Sequence, residues 1–241
     1  MKNIIIFDLD NTFYNYEKSH SAGLINAFTN QSIYEDENDF IEFYEQAKRR
    51  VQDRISLSPS KHSKLLYFKE MFYGEMAIEE IVELEFLYWK KFIERTQINQ
   101  ASIEILHKIK SLGSEYFLFT NQNTNIQLKK IYSWNLDFFD QIVTSEELGV
   151  EKPSPIFFDY AKSFIDKSLN QSCNIFALGD DYFNDLDFWY KNYEAKLYLI
   201  DNTLKKLKDK NFPLRDGVSS NLKSGSFELA VQDIANHLDI L

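Results

Sequence analysis

The sequence contains a single cysteine, Cys173, among 241 residues. An internal disulfide is therefore excluded, and a lone thiol fits a reducing compartment. No stretch of the chain approaches the ~20 consecutive apolar residues that a membrane-spanning helix needs. The N-terminus has only Lys2 before a short apolar run that Asp8 ends, so no signal peptide is predicted. We therefore expect a cytoplasmic protein with no membrane partner.

Positive charge is also scarce, because 27 Lys and Arg face 37 Asp and Glu and leave a net charge of -10. Proteins bind nucleic acid non-specifically through Lys and Arg, so this balance argues against nucleic acid as the main partner. The 44% hydrophobic and 27% charged residues are typical of a folded globular chain rather than a disordered one. No repeat or low-complexity segment is present, and nothing in the sequence indicates an oligomeric state.

The pattern of apolar residues changes twice along the chain. Asn3 to Phe7 is an apolar run without alternation, typical of a strand buried on both faces of a parallel sheet. Residues 15–96 have few turn signals and apolar residues at helical spacing, which predicts an all-helical segment. Beyond residue 97, predicted helices and strands alternate. This alternation predicts an α/β fold with a mostly parallel sheet and helices on both of its faces.

Within the alternating part, apolar runs and turn residues indicate the approximate element boundaries. Predicted strands lie at 116–119, 141–144, 174–178 and 196–200. Predicted helices lie at 101–112, 126–134 and 227–238, with another that starts at Pro155 and has Ser154 as its cap. The polar, Lys-rich segment from Leu204 to Ser226 is interpreted as a solvated connection.

Polar side chains cluster after the predicted strands or before a helix. The clusters are Asp8, Asp10 and Thr12; Thr120 and Asn121; Lys152; and Asp180, Asp181 and Asp185. The carboxyl ends of parallel strands lie at one edge of a sheet, so these distant residues can converge there. Carboxylates suit Mg²⁺, which prefers oxygen ligands, while a lysine with Thr and Asn donors suits phosphoryl oxygens. The clusters together predict magnesium-assisted phosphoryl transfer.

These clusters resemble the four motifs of the haloacid dehalogenase superfamily, and they occur in the family's order. The motifs are D-L-D-N-T at 8–12, T-N at 120–121, K-P at 152–153 and G-D-D-Y-F-N-D at 179–185. The resemblance implies a Rossmann-like catalytic core formed by residues 1–14 and 97–241. The helical segment 15–96 is similar to the family's four-helix cap, which is inserted after the first motif and covers the site.

The resemblance also implies which residues carry the chemistry. Asp8 matches the nucleophile that attacks phosphorus and forms an aspartyl phosphate. Asp10 matches the general acid and base, and its presence favours phosphate chemistry over dehalogenation. Lys152 matches the residue that offsets negative charge on Asp8 and on the phosphoryl oxygens.

The remaining matches concern binding. Thr120 matches a hydroxyl that holds a phosphate oxygen, and Asn121 lies beside it in the same turn. The Asp8 carboxylate and the Asp10 backbone carbonyl are expected to ligate Mg²⁺, together with Asp180 as a metal ligand. Asp185 matches an outer-shell or second metal carboxylate. Asp181 is interpreted as a helix cap instead.

These residues predict a Mg²⁺-dependent phosphomonoester hydrolase, a phosphatase that acts on a small soluble phosphorylated metabolite. A sugar phosphate, a nucleotide monophosphate and a phosphorylated cofactor all stay open as substrates. A phosphomutase of the same family is one alternative, since the same two aspartates would serve it. A non-catalytic phosphoryl-binding or signalling protein is the other.

Two further features are set apart by the sequence. The bulky run L-D-F-W-Y-K-N-Y at 186–193 departs from the small residues that many relatives have after the fourth motif, and Asn11 stands where many have Gly. A basic cluster in the helical segment is interpreted mainly as a solvated face, with one or two members expected to reach under the cap and bind an acidic part of the substrate. Its members are Lys48, Arg49, Arg50, Arg54, Lys61, His62 and Lys64. The loop at residues 56–63 is the best candidate for this contact, because it interrupts two predicted helices.

Overall fold

The computed structural model describes residues 2–169, 173–201 and 220–240. A parallel sheet of six strands forms its centre, in the order β3-β2-β1-β4-β5-β6. Ile5 on the central strand lies opposite Tyr116 on one side and Phe176 on the other, and all three are fully buried. The strands are β1 (Lys2–Phe7), β2 (Glu115–Thr120), β3 (Gln141–Thr144), β4 (Cys173–Gly179), β5 (Lys196–Ile200) and β6 (Leu222–Gly225).

Helices connect the strands. A 3-10 turn at Pro59–His62 and a π-helical turn at Tyr182–Leu186 add to them. The α-helices within the described residues are α1 (Tyr16–Thr29), α2 (Glu37–Arg54), α3 (Lys64–Met71), α4 (Ile78–Arg95), α5 (Gln100–Ser111), α6 (Thr124–Ser133), α7 (Ser145–Leu148), α8 (Pro155–Ser168), α9 (Asp187–Tyr193) and α10 (Phe227–His237). The predicted α/β fold with a parallel sheet is confirmed.

Polar side chains at the helix starts account for several of these boundaries. Asn15, Asp36, Ser63 and Asn99 each accept a hydrogen bond from a backbone N–H in the first turn of α1, α2, α3 and α5. Such caps satisfy N–H groups that have no partner inside the helix. Ser154 occupies the predicted position before Pro155, but its side chain makes no capping hydrogen bond.

Helices α1–α4 all lie between β1 and α5, and we call them the helical insertion. Aromatic side chains fill its interior; the ring centres of Tyr44 and Phe68 are 5.6 Å apart, and those of Phe68 and Tyr88 are 6.1 Å apart. The apolar cluster continues into the sheet-bearing part of the molecule, where Tyr14 contacts Phe92 of α4. The insertion is thus packed directly against the carboxyl end of β1.

The bulky run after the fourth motif is accommodated in a second apolar cluster on the other face of the sheet. Trp189 is 1% exposed and packs against Phe119 and Phe158, at ring-centre distances of 5.4 and 5.7 Å. Large aromatic side chains therefore replace small residues here without leaving the core. In the described part of the chain, no helix combines the length and apolar character needed to cross a membrane.

The solvated connection predicted from Leu204 to Ser226 is wrong for its last part. Residues 204–219 lie outside the described ranges, but Leu222–Gly225 form β6 and pair with β5 in parallel. This strand lies at the edge of the sheet, and Lys223 and Ser224 are exposed. An edge strand needs no continuous apolar run, so its sequence L-K-S-G resembles a loop.

Candidate active site

Several of the predicted residues meet at the carboxyl ends of β1, β2 and β4, and the Lys152 ammonium contacts Asp8 and Asp185 there. Lys152 Nζ lies 2.8 Å from Asp8 Oδ1, 2.6 Å from Asp185 Oδ1 and 2.7 Å from the Phe119 carbonyl oxygen. Asp8 and Lys152 are 144 positions apart in the chain. The parallel sheet therefore brings together side chains that the sequence could associate only through their positions after strands.

Asn121 holds the backbone of Lys152 in place. Its Nδ2 donates to the Lys152 carbonyl oxygen at 3.0 Å, and its Oδ1 accepts from the Lys152 backbone N–H at 2.7 Å. Both ends of the amide are thus directed at the loop that carries Lys152. The geometry makes Asn121 a support for Lys152, while direct phosphate binding by Asn121 stays a prediction.

Three carboxylates form a compact group beside Lys152. Asp8, Asp180 and Asp185 each offer an oxygen, and these oxygens lie within 4.8 Å of one another. Asn11 Nδ2 donates to Asp180 Oδ2 at 2.8 Å, and the Asp181 backbone N–H donates to Asp185 Oδ2 at 2.9 Å. The donor set consists of hard oxygens with one lysine charge nearby, which fits a divalent cation such as Mg²⁺.

The end of β4 has room for Asp185 only because residue 179 is glycine. A Cβ at Gly179 would lie 2.3 Å from Asp185 Cβ, well inside the contact distance of two carbon atoms. Asp181 caps the turn that follows by accepting from the backbone N–H groups of Phe183 and Asn184 at 3.0 and 3.1 Å. This is the capping role interpreted for Asp181 from the sequence.

Burial and like charge govern the ionisation of this group. Burial raises the pKa of Asp8 well above its usual value; Lys152 opposes this, and Asp185 and Asp180 add to it. Burial likewise raises the pKa of Asp185, against the effect of Lys152. For Lys152, burial would lower the pKa, but Asp185 and Asp8 more than offset it and raise the pKa overall. A cation bound here would counter the cost of charging these carboxyls.

The loop after β1 takes a sharp turn at Asn11. Its φ of 63° lies in the left-handed region, which asparagine tolerates better than most residues other than glycine. Thr12 Oγ1 donates to Asp8 Oδ2 at 3.3 Å. The replacement of a common glycine by Asn11 therefore preserves the turn and adds the hydrogen bond to Asp180.

Asp10 lies in a separate polar network formed by residues that the sequence did not single out. Lys130 Nζ donates to Asp10 Oδ1 at 2.5 Å, Gln127 Nε2 donates to Oδ2 at 3.0 Å, and the Tyr14 hydroxyl also donates to Oδ1. Gln127 Nε2 in addition lies 2.7 Å from Thr120 Oγ1. Burial alone would raise the pKa of Asp10, but Lys130, Tyr14 and Gln127 lower it overall.

Lys130 is completely buried against aromatic rings. Its Nζ lies 5.4 Å from the ring centre of Trp89 and 5.3 Å from that of Phe92, both on α4 of the helical insertion. Burial lowers the pKa of Lys130, and Asp10 counters part of this effect. The ion pair with Asp10 thus lies directly beneath the insertion, where cation–π contacts and the carboxylate together stabilise the ammonium.

A second connection joins the insertion to the loop that carries Lys152. Lys61 Nζ and His62 Nε2, on the 3-10 turn, lie 2.6 and 2.7 Å from the two carboxylate oxygens of Glu151. Glu151 directly precedes Lys152 in the chain. Two members of the predicted basic cluster are therefore bound to a residue of the core.

Comparisons with known proteins agree with this site. The model of the haloacid dehalogenase-like hydrolase family matches residues 5–188. A relative from Halopiger xanaduensis, named ribulose-1,5-bisphosphate 5-phosphatase, is 30% identical over 188 residues, which cover 75% of this chain and 77% of that protein. The match to the family model spans all four polar clusters.

Similar solved structures cover nearly the whole chain. The magnesium-bound crystal structure of YfnB from Bacillus subtilis has a TM-score of 0.64 at 19% identity, with 99% of each chain covered. A 2-haloacid dehalogenase from Pseudomonas syringae has a TM-score of 0.62 at 16% identity, again with 99% of each chain covered. At such identities the likeness concerns the fold alone, which this chain shares with the dehalogenase.

The chain belongs to the haloacid dehalogenase-like hydrolases. The predicted family and fold are confirmed, and the predicted phosphatase class agrees with the family and with the name of the Halopiger relative. The roles of individual residues stay predictions.

Proposed function

We propose that the protein is a Mg²⁺-dependent phosphomonoester hydrolase that acts on a small phosphorylated metabolite through an aspartyl phosphate at Asp8. The observation that carries the proposal is the group formed by Asp8, Lys152, Asp180 and Asp185 at one edge of the sheet. A buried nucleophilic carboxylate, a lysine on it and further carboxylates for a cation are the parts that phosphoryl transfer needs.

In this proposal Asp8 attacks the phosphorus atom of the bound ester. One carboxylate oxygen forms a bond to phosphorus, the bond from phosphorus to the ester oxygen breaks, and its electron pair goes to the leaving oxygen. Lys152, at 2.8 Å from Asp8 Oδ1, offsets negative charge on the carboxylate and on the phosphoryl oxygens. The hydroxyl of Thr120 holds a phosphoryl oxygen.

Asp10 moves the protons in the two halves of the reaction. It donates a proton to the leaving oxygen and later accepts one from the water that attacks the aspartyl phosphate. Lys130, Gln127 and Tyr14 fix the orientation of its carboxylate through three hydrogen bonds. These residues are positioning residues, since each acts through Asp10.

Asp8, Asp180 and Asp185, with the backbone carbonyl of Asp10, are the proposed holders of Mg²⁺, with Asp185 in the first or second ligand shell. When bound, the cation supplies positive charge that offsets the phosphoryl oxygens and the crowded carboxylates. Because burial and the neighbouring carboxylates raise the pKa of Asp8, a cation at this group also favours the charged, nucleophilic form of that carboxyl.

The proposed substrate class is a small sugar phosphate, which the name of the Halopiger relative supports over a nucleotide or a phosphorylated cofactor. We further propose that residues 1–14 and 97–241 act as the catalytic core and residues 15–96 as the cap. A cytoplasmic location and the absence of a nucleic-acid partner stay predictions.

The test is release of phosphate from a panel of phosphorylated metabolites by the protein with Mg²⁺, with EDTA, and by the Asp8→Asn variant. Turnover that needs Mg²⁺ and is lost in Asp8→Asn supports the proposal. Conversion of a sugar phosphate to its isomer without release of phosphate would instead favour the phosphomutase. If the protein catalyses neither reaction with any compound, both enzyme activities are contradicted and the non-catalytic alternative is favoured.

A further inference from the structure

A cavity of about 310 Å³ lies between the helical insertion and the core. Its volume is at the lower end of the range for small-molecule sites, which is about 300–1,000 Å³. The side chains used below that line it are Tyr16, His20, Lys48, Lys64, Tyr67 and Gln122. Gln122 comes two residues after Thr120 in the chain, so the cavity borders the turn at the end of β2.

On another side, the cavity borders the loop after β1. The backbone N–H of Tyr16 donates to Asn11 Oδ1 at 3.4 Å, and Asn11 also binds Asp180. Asp10 is close enough to Lys64 to affect its pKa. A phosphate ester held at Asp8 therefore has this cavity available for the part of the molecule beyond the ester oxygen.

Most of the seven members of the basic cluster have other partners or are exposed. Arg50 and Arg54 pair with Glu70 at 3.1 and 2.9 Å, and Arg49 is exposed. Lys61 and His62 pair with Glu151. Lys48 Nζ lies 2.9 Å from Glu45 Oε2. Lys64 is the buried member of the cluster that takes part in none of these ion pairs.

Lys64 is 5% exposed, and Asp10 and Glu45 offset only part of the cost of burying its charge. Across the described ranges, its ammonium makes no hydrogen bond or ion pair, and it lies 5.0 and 6.0 Å from the ring centres of Tyr67 and Tyr16. A buried ammonium without a partner is costly, so such a residue usually has a ligand or another role that retains it.

The balance of charge around Lys64 favours an anion. Glu45 also lines the cavity, but Lys48 offsets its charge; Glu17 is exposed at the rim. Burial, together with Lys64 and Lys48, lowers the pKa of His20 to about 3, so that this imidazole is neutral at physiological pH. Burial, with Lys48 and Lys130 close by, also lowers the pKa of Lys64 to about 7, which an incoming anion would raise again.

We propose that the cavity binds a second anionic group of the substrate, a phosphate or a carboxylate, through a direct ion pair with Lys64. The proposal rests on the proposed phosphatase function and narrows its substrate class to phosphate esters whose leaving group is itself charged. Lys64 is thereby a specificity-determining residue. Lys48, which is already paired with Glu45, contributes at longer range.

The first experiment measures binding without turnover. Asp8→Asn protein with Mg²⁺ is titrated in a calorimeter with matched pairs of sugars that differ in one anionic group. The pairs are ribulose 1,5-bisphosphate with ribulose 5-phosphate, fructose 1,6-bisphosphate with fructose 6-phosphate, and 6-phosphogluconate with glucose 6-phosphate. The first two pairs test a second phosphate, and the third tests a carboxylate.

We expect at least one doubly anionic sugar to bind on the order of tenfold to a hundredfold more tightly than its partner, as a charge-assisted contact would allow. Adding Lys64→Met to the Asp8→Asn protein should abolish that difference, and Lys64→Arg should restore part of it. Lys69→Met is the matched control, because Lys69 is exposed on the same helix α3, and it should retain the full difference. If Lys64→Met does not fold, Lys64→Gln takes its place.

Equal affinity within every pair, or a preference that survives the loss of Lys64, would overturn the proposal. A second measurement distinguishes failure of the subsite from failure of the proposed phosphatase function. It follows release of phosphate from p-nitrophenyl phosphate by the unmodified protein with Mg²⁺. That compound has no second anionic group. Turnover of it together with equal binding would leave a phosphatase without this subsite. Lys64-dependent binding of a doubly anionic sugar from which the unmodified protein with Mg²⁺ releases no phosphate would instead leave the subsite and contradict the enzyme.

Discussion

Lys130 Nζ lies 2.5 Å from Asp10 Oδ1, and this ion pair joins helix α6 to the loop after β1 beneath the helical insertion. Asp10 is the proposed general acid and base, so its orientation depends on a lysine 120 positions away in the chain. Trp89 and Phe92 lie over the same ammonium. A change in the packing of the insertion would therefore alter the position of Lys130 and the orientation of Asp10.

We expect Lys130→Met to lower kcat on the order of tenfold to a hundredfold, with a smaller change in KM, because Asp10 loses the donor that orients it. Steady-state kinetics on the best substrate measures this effect. Lys129→Met, on the exposed side of the same helix, should stay near the original kcat. A kcat equal to that of the unmodified protein would show that Lys130 is dispensable for orienting Asp10.

The interaction between Lys130 and Asp10 should also contribute to the free energy of unfolding. Thermal or denaturant unfolding of Lys130→Met, Asp10→Asn and the double variant gives a cycle in which the interaction of the two residues can be isolated. Because Lys130 is fully buried and Asp10, at 21% side-chain exposure, is in direct contact with it, we expect a coupling free energy of about 1–3 kcal/mol. Additive effects of the two substitutions would contradict a direct interaction.

Gly179→Ala should disturb the site through sterics alone. The new Cβ would meet Asp185 Cβ at 2.3 Å, so Asp185 must move and Lys152 loses one of its two carboxylate partners. We expect a loss of about 1–3 kcal/mol in the free energy of unfolding and a marked fall in kcat/KM.

Gly225→Ala is the control for that substitution, since Gly225 also ends a strand and a Cβ there would lie 3.5 Å from Leu229 Cδ1, an ordinary contact. Its effect on activity should be slight. Similar losses in the two variants would mean that the crowding at Asp185 is not the cause.

The buried Lys64 should make stability depend on pH. Its pKa is lowered to about 7 in the folded protein, whereas an unfolded lysine has a pKa of about 10.4. Between these values the unfolded chain binds more protons, so the contribution of Lys64 to the free energy of unfolding rises with pH. Below pH 7 the cost of the buried charge is present in full.

We therefore expect Lys64→Met to be more stable than the unmodified protein at pH 6, with a Tm higher on the order of 5 °C, and this difference to shrink toward pH 10. Thermal unfolding of both proteins across this range, without added anions, measures it. A Tm difference that does not change with pH would contradict the lowered pKa of Lys64.

The sequence predicted the parallel sheet because the strands that form its interior are short apolar runs. Lys196–Ile200 in the interior was predicted at its observed boundaries, and so was Gln141–Thr144 at the edge opposite β6. The edge strand β6 was missed, because its side chains contribute little to the core. Helical spacing similarly indicated the helices of the insertion but not how they pack on the core.

The predicted site residues lie shortly after strands or, for Lys152, before a helix, at positions where a single charged or polar side chain already suggests chemistry. Gln127 and Lys130 were missed because polar residues within a helix usually face solvent. One signal was present: Lys130 lies four positions after Ile126 and Gln127 four before Ile131, so both share the apolar face of α6. Only the structure shows that Asp10 lies opposite them.

In the proposed reaction, Asp8 becomes phosphorylated during turnover. The most direct measurement quenches the protein in acid during steady-state turnover with Mg²⁺ and its best substrate, reduces it with borohydride, and identifies the peptide that contains residue 8 by mass spectrometry. An aspartyl phosphate is reduced to homoserine, so we expect homoserine at position 8 during turnover and none in protein quenched before substrate is added. Phosphate release that continues while residue 8 stays aspartate in every quenched sample would contradict it.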